Sequence, residues 1–161
     1  MTALNPSGRR ALQFGLLYAL VGLAVGAYAV HSAIGDGWDL LPICATLAAF
    51  LTGISLWYWL IERRAATHGH AGIRTGILTG ALAGILAHYL CWYLLILCAN
   101  LDYLWFGTTS SLGEPPMNPI QALAGAAVFS GFSLFLFGWV TIPAGALLGL
   151  LMIRLTRVLP T

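Results

Sequence analysis

The sequence predicts an all-α integral membrane protein. It has four transmembrane helices, both ends on the cytoplasmic side, and a bundle packed through small residues. Three observations carry this. The 161 residues are 60% hydrophobic and 7% charged, whereas a soluble domain carries about 25% charged residues. The apolar residues fall in four runs, at 11–33, 41–61, 73–98 and 120–153, each meeting the ~20 residues needed to cross a bilayer core. All seven basic residues are arginine, at Arg9, Arg10, Arg63, Arg64, Arg74, Arg154 and Arg157.

The first run follows Arg9 and Arg10. It is longer than the roughly 7–15-residue core of a signal peptide, and no clear small-x-small cleavage site follows it. It is therefore expected to be a retained span. The second run ends at Arg63 and Arg64, the third begins at Arg74 and the fourth ends at Arg154. The first and third connections hold Asp36, Asp39, Asp102 and Glu114 and no arginine. The positive-inside rule then places both termini and the second connection in the cytoplasm. Barrel strands would be about 10 residues long and alternate apolar with polar, and no run does so. The absence of lysine fits a GC-rich bacterial genome and hence a bacterial inner (cytoplasmic) membrane. The arginines at membrane edges account for the basic excess, so no nucleic-acid partner is expected. No segment outside the bilayer is long enough to fold separately, and the chain reads as one domain, 1–161.

The glycines suggest how the helices pack. Gly72, Gly76, Gly80 and Gly84 recur every fourth residue in the third run. In water each would weaken a helix by up to about 1 kcal/mol relative to alanine. In lipid the backbone is satisfied within the helix, and a missing side chain lets a second helix approach closely. Gly76, Gly80 and Gly84 are the expected contact, with Gly72 at the rim. Leucine there is expected to disrupt packing, and alanine only to widen the crossing. Gly145 and Gly149 form another GxxxG pair in the fourth run, in line with Gly138 and Thr141. Gly15, Ala19, Gly22 and Gly26 line the first. These rows are expected to join the first, third and fourth helices, within the chain or with a partner. The bulkier second helix is expected at the periphery, with Trp57, Tyr58 and Trp59 in the cytoplasmic aromatic belt.

Few polar residues lie inside the runs. His88 is 14 residues past Arg74 (88 − 74), or about 21 Å into a core of about 30 Å. It is the candidate intramembrane polar site, with Ser130, Ser133 or a backbone carbonyl as its expected partner. A haem would need a second histidine at the same depth, and His31 falls about two turns away. His68 and His70 could chelate a metal, but no third ligand completes the set. No metal or cofactor is expected. Cys44 and Cys98 share a depth at which an outer compartment permits a disulfide. Without a C-x-x-C motif, Cys44, Cys91 and Cys98 are expected to be buried, inert thiols. In the long third connection Tyr103, Trp105 and Phe106 read as an interfacial anchor, and the proline-rich stretch at 115–119 stiffens the entry to the fourth helix. That run, 34 residues (120–153), would be about 51 Å long if straight. It is expected to protrude or tilt, and to bend at Pro143.

No nucleophile–base set, carboxylate pair or phosphate loop is present. The expected function is therefore non-enzymatic and works through helix–helix association. The chain would be an accessory or assembly subunit of a membrane complex, or an immunity-type protein against a membrane-active toxin. Its partners would be the lipid bilayer and another membrane protein or a second copy of itself. A small oligomeric channel or transporter is the first alternative. A redox or quinone-linked protein using His88 and the cysteines is the second.

Overall fold

The computed structural model describes residues 5–33, 38–68, 72–109 and 113–158. The elements are α1 (Pro6–Ser32), α2 (Leu41–Trp57), a π-helical turn (Tyr58–Glu62), α3 (Arg63–His68), α4 (Ile73–Phe106) and α5 (Pro119–Val158), with no strand among the described residues. α2, the π-helical turn and α3 follow one another without interruption. This gives four helices long and apolar enough to cross a membrane.

Local chemistry sets the ends. Pro6 and Pro42 sit in first turns, where a missing N–H costs nothing. Asn118 caps α5, its side-chain oxygen accepting from Ile120 N at 3.1 Å and Gln121 N at 2.8 Å. Gly107 ends α4 at a left-handed φ of 67°, a conformation only glycine adopts freely. α4 therefore runs eight residues (106 − 98) beyond its expected end. Asn100 is accommodated because its amide donates to Ile96 O at 2.8 Å and Met117 O at 2.7 Å. Tyr103, Trp105 and Phe106 thus belong to a helix, not to a loop. α5 continues as α-helix through Pro143. In an apolar surrounding one missing donor is tolerated and need not end a helix.

The bundle is two antiparallel hairpins, α1–α2 and α4–α5, joined chiefly through α2 against α4. The second helix is not peripheral. Gly15 and Gly53 bring α1 and α2 together, where a Cβ on Gly53 would lie 3.1 Å from Gly15 Cα. Gly22 meets the Ala45 carbonyl and Ala49, and Gly26 meets Pro42. The small residues of α1 thus face α2, and α1 makes no close backbone approach to α4. The expectation went astray because α2 was judged by its bulky residues, whereas Ala45, Ala48, Ala49, Thr52 and Gly53 form its contact face.

One core closes the end of the bundle where the arginines lie. Ala11, Phe14, Tyr18, Trp57, Ile61, Met152 and Ile153 are buried together there. Trp57 is fully buried, not in an aromatic belt. Its ring stacks on Phe14 at 4.7 Å between centroids, and its Nε1 donates to Glu62 Oε1 at 3.0 Å. The i to i+5 spacing of the π-helical turn puts positions 57 and 62 on one face. Tyr58 and Trp59 face outward, with the Arg63 guanidinium 4.2 Å from the Trp59 ring centre.

Candidate functional site

The crossing of α4 and α5 brings five of the singled-out glycines together. A Cβ on Gly80 would collide with the carbonyl oxygen of Gly145, and one on Gly145 with the carbonyl of Gly80. Gly149 stands in the same relation to Gly76. Gly84 faces Thr141 and Ile142, where a Cβ would lie 3.1 Å from backbone atoms. Glycine on both helices is therefore what lets the two backbones touch. Gly72 meets only Thr75 of its own helix, and Gly138 only side chains of α5.

His88 is the next step of the α4 row, and it faces α5 where the crossing opens. Its Nδ1 lies 2.8 Å from Ser133 Oγ and its Nε2 2.9 Å from Thr141 Oγ1. A neutral imidazole donates at one nitrogen and accepts at the other. Each hydroxyl also reaches its own helix, Ser133 to Ser130 O and Thr141 to Phe137 O, both at 3.2 Å. In either tautomer one hydroxyl donates to the ring, while the other accepts from it and donates to its carbonyl. Every polar atom of the set is satisfied inside the bundle, as an apolar surrounding requires. Ser130 donates to Ala127 O instead. His88→Leu is expected to lower the unfolding free energy by about 1–3 kcal/mol, since interhelical hydrogen bonds in membranes contribute about 0.6 kcal/mol each and up to ~1.7. His88→Gln should retain part of that. Unfolding in mixed micelles measures both, and a stable His88→Leu protein would contradict the bridging role.

The other polar candidates stay apart from this set. Cys44, Cys91 and Cys98 are free thiols grouped between α2 and α4, the first two buried. His31 is exposed in the last turn of α1. His70 lies outside the described residues, and of His68 only the backbone is described, as the end of α3. No group of three or more His, Cys, Asp or Glu able to hold a metal forms among the described residues.

Sequence reasoning missed Tyr18. It is 2% exposed, its ring packed against Gly145 and its hydroxyl against Gly84. A tyrosine one turn from Phe14 on an apolar helix reads as another ring in the core. Only the cleft it floors, between α1, α2, α4 and α5, sets it apart. No protein-family model matches the chain, and neither a curated protein nor a solved structure shows detectable similarity to it.

Proposed function

We propose that this multi-pass protein sits in a bacterial inner membrane with both termini in the cytoplasm. There it acts non-enzymatically, by associating with another membrane protein, as an accessory or assembly subunit or an immunity-type protein. The supporting observation is the length of one hairpin. From Arg74 to Phe106 α4 rises about 48 Å, and from Pro119 to Arg154 α5 rises about 52 Å. At the usual tilt of about 20° a ~30 Å core takes up about 32 Å of helix, and even a 40° tilt takes up only about 39 Å. With the arginines at the cytoplasmic edge, about 9–20 Å of each helix extends beyond the core on the opposite side. That extension carries exposed apolar side chains beside Asp102, with Leu104, Trp105, Phe106 and Ile120 between 74% and 81% exposed. The glycine rows are engaged within the chain, and the reading places the partner at this end of α4–α5, where exposed apolar side chains rise beyond the bilayer core.

A photo-crosslinking residue at position 105 or 120, compared with one at Leu23 on the outer face of α1, tests the reading in native membranes. The expected result is one recurring protein adduct at 105 and 120 and lipid adducts at 23. Lipid adducts at all three, with the chain monomeric in detergent-free nanodiscs, would remove the reading. Orientation has its own test, in a variant whose native cysteines are serine. An impermeant maleimide added to intact cells is expected to modify single cysteines at 102–118 and to miss those at 63–67. Modification at 66 would reverse the orientation.

A further inference from the structure

α1 and α5 meet at one end only, while α2 packs on α4 toward the other. Around Tyr18, α1 meets α5 at Gly145. Beyond Tyr18, away from the arginines, the helices leave a cleft of about 610 Å³ including its open side. Val21 and Val25 of α1, Ala45 of α2, Ala87 of α4 and Phe137 of α5 supply apolar walls, and no charged residue lines it.

Its floor carries a hydrogen-bonding group with nothing to bond. The Tyr18 hydroxyl reaches Gly84, which lines the same cleft, and a Cβ there would lie 3.2 Å from the phenol oxygen. Yet the hydroxyl makes no hydrogen bond to any described residue, although the side chain is 2% exposed. A buried phenol normally has a partner. His88, Ser133 and Thr141 also border the cleft but are committed to one another. The cleft therefore offers an uncommitted phenol at its floor, with the Trp92 indole and the Cys91 thiol elsewhere in its lining, and no charge.

Depth narrows the ligand. Tyr18 lies eight residues (18 − 10) past Arg10, about 12 Å into a core of about 30 Å, near the midplane. A phospholipid headgroup belongs at the interface, far from this donor. A neutral group that only accepts, on a flat ring with an apolar tail, satisfies every condition. We propose that the cleft binds a prenylated quinone, one ring carbonyl accepting from the Tyr18 hydroxyl, the ring between α1 and α5 and the tail leaving through the open side. This binding is independent of the association reading, which concerns the far end of α4–α5.

The test uses the full chain in phosphatidylcholine nanodiscs and a radiolabelled benzoquinone with a ten-carbon tail, against empty nanodiscs. The expected result is saturable binding of one quinone per chain. Tyr18→Phe should weaken it about tenfold, whereas Tyr58→Phe, on the outward face, should leave it unchanged. Val25→Trp, which fills the opening, should abolish binding while the helical content stays as in the unaltered protein. A decylbenzene of the same tail length should not compete. Binding no greater than to empty nanodiscs would overturn the proposal. So would unchanged affinity in Tyr18→Phe, equal competition by decylbenzene, or a phospholipid that the quinone cannot displace.

Discussion

Gly80→Leu is expected to prevent the bundle from forming. Overfilling an ordinary core costs about 1–3 kcal/mol because neighbouring side chains can give way. At Gly80 the obstacle is the Gly145 carbonyl oxygen and the peptide behind it, so the whole of α5 would have to move. Separation would also undo the Gly76–Gly149 approach and pull Ser133 and Thr141 from His88. The loss should reach at least about 3 kcal/mol. It should appear as loss of resistance to sodium dodecyl sulfate and to protease. The structure also revises the expected effect of alanine. The first methyl group already meets the carbonyl, so Gly80→Ala should itself destabilise clearly. Gly131 is the control: on the same α5, a Cβ there meets nothing within 4 Å, and Gly131→Leu should be silent. A folded Gly80→Leu protein would mean that α4 and α5 do not touch.

Trp57→Ala should be the most damaging truncation. Trp57 is the largest fully buried side chain, and aromatic-to-alanine changes in packed cores cost about 3–5 kcal/mol. Two losses combine. One is the stack on Phe14, and the other is the hydrogen bond that satisfies Glu62, itself only 8% exposed. Trp57→Phe separates them, keeping a ring while orphaning the carboxyl, and should cost about 1–3 kcal/mol. Glu62→Gln keeps an acceptor and should cost less. A double-mutant cycle between Trp57→Phe and Glu62→Gln then reads the pair's coupling. Additive effects would show that the bond contributes nothing.

The contrast between Trp57 and His88 shows what was legible beforehand. Hydropathy and arginine placement outlined four apolar helices, because lipid as a solvent leaves a coarse mark on a sequence. The approach of Gly76 and Gly80 to Gly145 and Gly149 could also be anticipated, since a fourfold glycine repeat has few other uses. The neighbours of α1 could not. Small residues tell where a helix is thin, not which helix it meets, and the alanine face of α2 was hidden behind its bulky residues. Trp57 was misplaced because it was read with Tyr58 and Trp59, whereas it continues the buried row of Ala49 and Gly53 in α2; the π-helical turn after it brings Glu62 onto the same face, and nothing in the triplet announces that i+5 spacing. His88 was recognised by its depth, and Ser133 was named among its expected partners. Thr141 was singled out only as a small residue. Tyr18 matters because of the space beside it, and space between helices has no spelling in the chain.

The pairing of the glycines also bears on how the protein is made. Every glycine-mediated backbone approach joins helices consecutive in the sequence, α1 to α2 and α4 to α5. Each hairpin can therefore find its partner as soon as its second helix enters the bilayer, without waiting for the rest of the chain. Local contacts of this kind favour fast assembly, and side-by-side association of preformed helices is how membrane bundles complete themselves. The two hairpins then behave as prefabricated halves. Only the slower meeting of α2 with α4 and the burial of Tyr18 are left for the end of synthesis, so the cleft would be the last part of the molecule to take shape.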